Sequence, residues 1–132
     1  MKKLLFALPF LLFGVSGCSS KPTIGSASQI TIKDIVSLSL EGNGLETNYQ
    51  DVKYDIPEEY KAKIVKKILN LKVEILESHC RCISACHFNL VTETATYYVD
   101  EYGLAGEDKE IFYAADHDSY QSIVNYVLET FA

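Results

Sequence analysis

The sequence predicts an α+β fold: a small antiparallel sheet packed on one face by two helices, in a single domain. Two stripes at helical spacing carry the helices, Tyr60, Ile64, Val65, Ile68 and Leu69 in mid-chain and Tyr120, Ile123, Val124, Val127, Leu128 and Phe131 at the end. Short runs of alternating apolar and polar residues carry the strands. The turn-rich segments "EGNGLETN" and "GLAGED" separate them, which suits antiparallel neighbours.

Taken in order, residues 30–40 place Ile30, Ile32, Val36, Leu38 and Leu40 on one parity. They predict a half-buried strand in which Asp34 marks a bulge. Val52, Tyr54 and Ile56 alternate as a short second strand. Pro57, Glu58 and Glu59 then open a helix, since proline fits the first turn and carboxylates favour the positive end of its dipole. The helix is expected to end near Asn70, followed by a strand over residues 71–76; a helix continuing to Glu77 is the alternative. Residues 87–103 read as strand, turn and strand, residues 103–108 as a turn, and residues 109–115 as the last strand. Asp118, with Gln121 three residues on, predicts a capping box for the closing helix. The predicted order is β-β-α-β-β-β-β-α.

The N-terminus has the build of an export signal. Lys2 and Lys3 precede an apolar stretch from Leu4 to Val15 that Pro9 and Gly14 interrupt, too short and broken for a spanning helix. It ends in Val15-Ser16-Gly17-Cys18, which resembles the lipobox of bacterial lipoproteins. The resemblance covers residues 1–18 and implies cleavage before Cys18, acylation of that cysteine, and a mature protein tethered to a membrane through its lipid. Ser19 stands where an aspartate would favour inner-membrane retention, so the resemblance implies an outer-membrane protein facing the periplasm in a Gram-negative cell. Residues 1–17 are thus expected to be signal peptide, residues 18–28 ("CSSKPTIGSAS") a flexible lipidated tether, and residues 29–132 the globular domain.

Without the signal, ten basic residues face eighteen acidic ones, a balance of −8. That argues against a nucleic-acid partner, which requires clustered Lys and Arg. The charge is uneven. Residues 18–92 hold nine of each sign, whereas residues 93–132 hold nine carboxylates against Lys109 alone, together with Tyr97, Tyr98, Tyr102, Tyr113, Tyr120 and Tyr126. Asp100, Glu101, Tyr102, Glu107 and Asp108 are therefore candidates to bind a cationic envelope protein. A solvated acidic face that only maintains solubility is the plainer alternative.

The segment "SHCRCISACHF" gathers His79, Cys80, Cys82, Cys86 and His87. In an oxidising envelope a disulfide among Cys80, Cys82 and Cys86 is the first expectation, leaving one thiol over. So small a loop would stabilise by only about 1–3 kcal/mol. The five side chains also offer donors for Zn²⁺ or Cu(I), although strand alternation would put the cysteines on one face and the histidines on the other. Cys82-Ile-Ser-Ala-Cys86-His87 further resembles an expanded c-type haem attachment motif. That likeness implies thioethers at Cys82 and Cys86, His87 as axial ligand, and His79 or His117 opposite it. Asp116-His117-Asp118 offers a metal or acid–base group at a position where helix capping is the commoner role. The phosphate-binding, dinucleotide, nucleophile-elbow and HExxH motifs are absent from the sequence. The reading is of a non-enzymatic, lipid-anchored interaction domain, resembling an inhibitor or immunity protein in role and needing no cofactor, with envelope metal binding as the alternative and haem third.

Overall fold

The computed structural model describes residues 21–42, 52–75, 84–106, 108–112 and 116–131. A short helix α1 (Ile24–Ser28) and a 3₁₀ turn (Ile32–Asp34) lead into β1 (Ser37–Gly42) and β2 (Lys53–Asp55). Helix α2 (Glu58–Leu69) follows, then β3 (Cys86–Val91), β4 (Thr96–Asp100), β5 (Gly103–Ala105), β6 (Glu110–Phe112) and α3 (His117–Phe131). The strands form one open sheet in the order β2-β1-β3-β4-β5-β6, antiparallel throughout. This is the α+β class expected.

Alternation along the strands decides which face is covered. Leu38 and Leu40 on β1, Phe88 and Leu90 on β3, Val99 on β4 and Leu104 on β5 are almost fully buried. They meet Ile64, Val65 and Ile68 of α2 and Tyr120, Val124 and Val127 of α3, one contiguous core. The other face carries Ser39, Glu41, His87, Asn89 and Tyr98, and no described helix covers it.

Several expectations are corrected. The strand expected over 30–40 starts only at Ser37. Thr31 donates its backbone N–H to Asp34 Oδ2 at 2.9 Å and closes the 3₁₀ turn, so Asp34 caps rather than bulges. The turn interrupts the parity: Ile35 is buried and Ile32 and Val36 are exposed, Val36 to 51%, whereas Ile30, Leu38 and Leu40 are buried as expected. Helix α2 ends at Asn70 as expected, which removes the longer-helix alternative. Beyond it Leu71 and Val73 are buried, and the described residues form isolated bridges rather than a strand: Lys72 pairs with Thr23, Ile75 is exposed, and Leu76 lies outside the described residues.

Residues 103–105, expected as turn, are β5. Gly103 at φ 118° supplies the left-handed conformation that closes the two-residue hairpin after Asp100. Gly106 lies so close to the Tyr97 ring that a β-carbon there would overlap it. The closing helix is capped by Asp116, not Asp118: its carboxylate accepts from Ser119 N–H at 3.1 Å and from Ser119 Oγ at 2.6 Å.

The largest correction concerns residues 21–28 of the expected tether. Thr23 and Ser26 cap each other in a capping box, Ile24 is fully buried, and Gln29 ends the turn at φ 66°. Ile24 N–H donates to Leu71 O at 2.8 Å, and Val73 N–H donates to Pro22 O at 2.9 Å. Lys21 and Glu74 make an exposed ion pair at 2.9 Å. The folded domain therefore includes residues from Lys21 onward. One buried isoleucine and two backbone bonds suffice to order a segment whose Ser/Gly/Pro composition reads as linker.

Candidate functional site

The alternation of β3 separates the two residues of the cysteine cluster that are described. Cys86 points into the core with Phe88 and Leu90, whereas His87 points out with Asn89 and Val91. Cys86 is 4% exposed and its thiol is free, with Sγ 3.9 Å from Tyr120 Oη. Burial pushes the Cys86 thiol up, against the lowering effect of its hydrogen bond to Tyr120. Burial likewise holds the Tyr120 hydroxyl well above its usual range. Enclosure and a raised pKa both lower the reactivity of this thiol toward electrophiles in solution.

The disulfides expected to Cys86 from Cys80 or Cys82 would need its sulfur, which is unpaired here and turned under α3 beside Tyr120. The haem arrangement fails on the same geometry: Cys86 and His87 lie on opposite faces and cannot attach and ligate one macrocycle. The five-residue metal set loses a member for the same reason. Among the described residues no group of three or more His, Cys, Asp or Glu is placed to hold a metal ion. His79, Cys80 and Cys82 lie outside the described residues.

Two polar clusters do form. At the end of the sheet, Ser84 Oγ lies 2.8 Å from Cys86 O and 3.2 Å from Glu101 Oε1, and Glu101 Oε2 lies 3.2 Å from His117 Nδ1. Glu101 thus ties β3 to the start of α3. On the uncovered face, β1–β3 pairing sets Glu41 opposite His87 and Ser39 opposite Asn89. Asn89 Nδ2 donates to Ser39 Oγ at 3.1 Å and to Glu41 Oε1 at 3.2 Å, while His87 Nε2 stands 3.8 Å from Glu41 Oε1. Tyr98 on β4 is 47% exposed and meets the His87 ring edge-on at 5.6 Å between centroids. The result is a polar surface with an aromatic centre, held flat by the sheet.

The expected acidic, Tyr-rich face is divided. Tyr97 and Tyr120 are core residues, and Tyr126 sits on α3 beneath Lys63 and Lys67, whose Nζ atoms lie 5.0 and 5.7 Å from its ring centroid. Asp100 Oδ1 accepts from Tyr102 N–H at 2.8 Å and shapes the β4–β5 turn. Asp108 is exposed; Glu107 and Tyr113 lie outside the described residues. Of the candidates, Asp100, Glu101 and Tyr102 share one turn, beside the surface centred on Tyr98. Ser39, Glu41 and Asn89 were missed by sequence reasoning, since only the β1–β3 register brings them together. Against protein-family models, curated proteins and solved structures alike, the chain finds no match.

Proposed function

We propose that the protein is a lipid-anchored envelope domain that binds a protein partner through the uncovered sheet face and its adjoining acidic turn, in the manner of an inhibitor or immunity protein. The observation that carries this reading is the surface around Tyr98: a half-exposed aromatic ring flanked by His87, Asn89 and Glu41 on rigid paired strands, bordered by Asp100 and Glu101. Tyrosine presents a large apolar area with few rotamers to fix, and the carboxylates favour a cationic partner. The signal and lipobox at residues 1–18 support the anchor. Among the described residues no helix is long and apolar enough to cross a membrane.

Two measurements test the proposal. Labelling with an alkyne fatty acid in a bacterial host should mark the chain and fail with Cys18→Ala. Cross-linking in intact envelopes should recover one saturable partner, which, once purified, binds the protein directly. Tyr98→Ala should weaken that binding at least about tenfold, the range of an interface aromatic anchor. Neutralising Asp100 and Glu101 should slow association and flatten its salt dependence. Full partner recovery with both sets of substitutions would refute the assignment of this face.

A further inference from the structure

The folded N-terminal segment also fixes where a lipid anchor holds the domain. We infer that the outer face of α2, with Lys63, Lys66, Lys67 and the neighbouring Lys72, docks on an anionic phospholipid surface; this rests on the lipid-anchor reading of Cys18.

The first support is chain length. Lys21 is already fixed to the domain through Glu74, and Pro22 and Ile24 are bonded to Val73 and Leu71. Only three residue steps separate Cys18 from Lys21, so an acylated Cys18 lies within about 11 Å of Lys21 even fully extended. The expected eleven-residue tether would have let the domain turn freely. The short one holds the surface around Lys21, Lys72 and the end of α2 against the headgroups.

The second support is charge. Residues 60–73 contain five lysines and no carboxylate. Lys61 is occupied elsewhere, with Glu58 and the Val36 carbonyl. Lys63 and Lys67 stand over Tyr126, Lys66 is exposed, and Lys67 and Lys72 line one side of a groove of about 390 Å³ that Asp116 and Ser119 close on the other. Of the carboxylates near them, Glu74 and Asp116 are engaged with Lys21 and Ser119, and Glu59 lies one turn ahead of Lys63 on the same helix. Lysine ammonium groups with a tyrosine between them are the side chains that settle at a headgroup layer. Docked this way, the helices face the lipid and the face carrying His87 and Tyr98 points away from it, where a partner can reach it.

The test uses the full chain, matured in a bacterial host and reconstituted in vesicles, with its intact mass read first. On vesicles containing phosphatidylglycerol, an amine-reactive probe should modify Lys63, Lys66, Lys67 and Lys72 at least about fivefold more slowly than on pure phosphatidylcholine. Lys53, on the opposite face, should react equally on both. The protection should vanish at about 1 M salt, where screening falls to about 3 Å. Joint Lys66→Glu, Lys67→Glu and Lys72→Glu substitution should abolish protection of Lys63, and joint substitution by Arg should retain it; both variants are exposed and are checked by urea unfolding. An acylated protein whose lysines react equally on both vesicles overturns the docking and leaves the anchor standing. A mass without acyl chains overturns both.

Discussion

The carbonyl of Cys86 provides a quantitative test of how the sheet is joined to α3. The last paired residues of β3 and β4 are Phe88 and Val99, so on the β4 side Cys86 O lies beyond the ladder. It is served instead by Tyr120 Oη and Ser84 Oγ, each at 2.8 Å. Tyr120→Phe removes the buried donor and leaves the ring, which stays edge-on to Phe88 at 6.1 Å. With Ser84 remaining, the cost should be about 1 kcal/mol, the net value of one such bond. Ser84→Ala should cost about 0.5 kcal/mol, because that site is half-buried and water can replace the hydroxyl. The double variant should cost more than the sum by about 1 kcal/mol, as the carbonyl then loses both side-chain donors. Urea unfolding of the four proteins at constant m measures this coupling, and thermal midpoints should fall by about 4–8 °C per kcal/mol. Additivity within about 0.3 kcal/mol would show that the two hydroxyls do not share one acceptor.

Gly106→Ala should destabilise by about 1–3 kcal/mol, because the new methyl overlaps the Tyr97 ring and the ring must move; an unchanged urea midpoint would contradict the close approach. Cys86 should resist alkylation at neutral pH in the native protein and react at the rate of global unfolding, which peptide mapping with timed iodoacetamide would show. Its thiol is raised in the fold, so the associated stability is intact below the unfolded value of about 8.5 and is lost as pH rises through the folded value. Cys86→Ala should lessen that alkaline slope. Asp116 behaves oppositely. Its hydrogen bonds from Ser119 hold the carboxyl below the usual range, so its contribution is present above about pH 4 and is lost as pH falls through the folded value. Asp116→Asn keeps a capping oxygen and should flatten the acid limb of a urea-midpoint profile.

How much of this was legible depended on whether a pattern was local. The stripes of α2 and α3 stated both helices, and β3 and β4 showed their alternation openly. The 3₁₀ turn interrupted the alternation of residues 30–40, although Thr31 and Asp34 already had the spacing of a cap. Strand β5 escaped notice because three residues are too few to show a period and a glycine opens it. Ile24 escaped because a single apolar residue among Ser, Gly and Pro carries no periodic signal, and its partners Leu71 and Val73 are far along the chain. Alternation was enough to separate Cys86 from His87. The cluster of Ser39, Glu41, His87, Asn89 and Tyr98 required the pairing register, a long-range quantity that no single run of residues records.

The seam between Pro22–Ile24 and Leu71–Val73 also has a mechanical meaning. A pull on the chain ahead of Lys21 reaches the fold through the Lys21–Glu74 pair, the two backbone bonds and the side chain of Ile24. These contacts transfer load to the segment after α2 and away from the β-ladder. Drawing Ile24 out of the core alone costs about 1.5–3 kcal/mol. The seam should therefore give way first and act as a fuse, peeling back while the six strands keep their register.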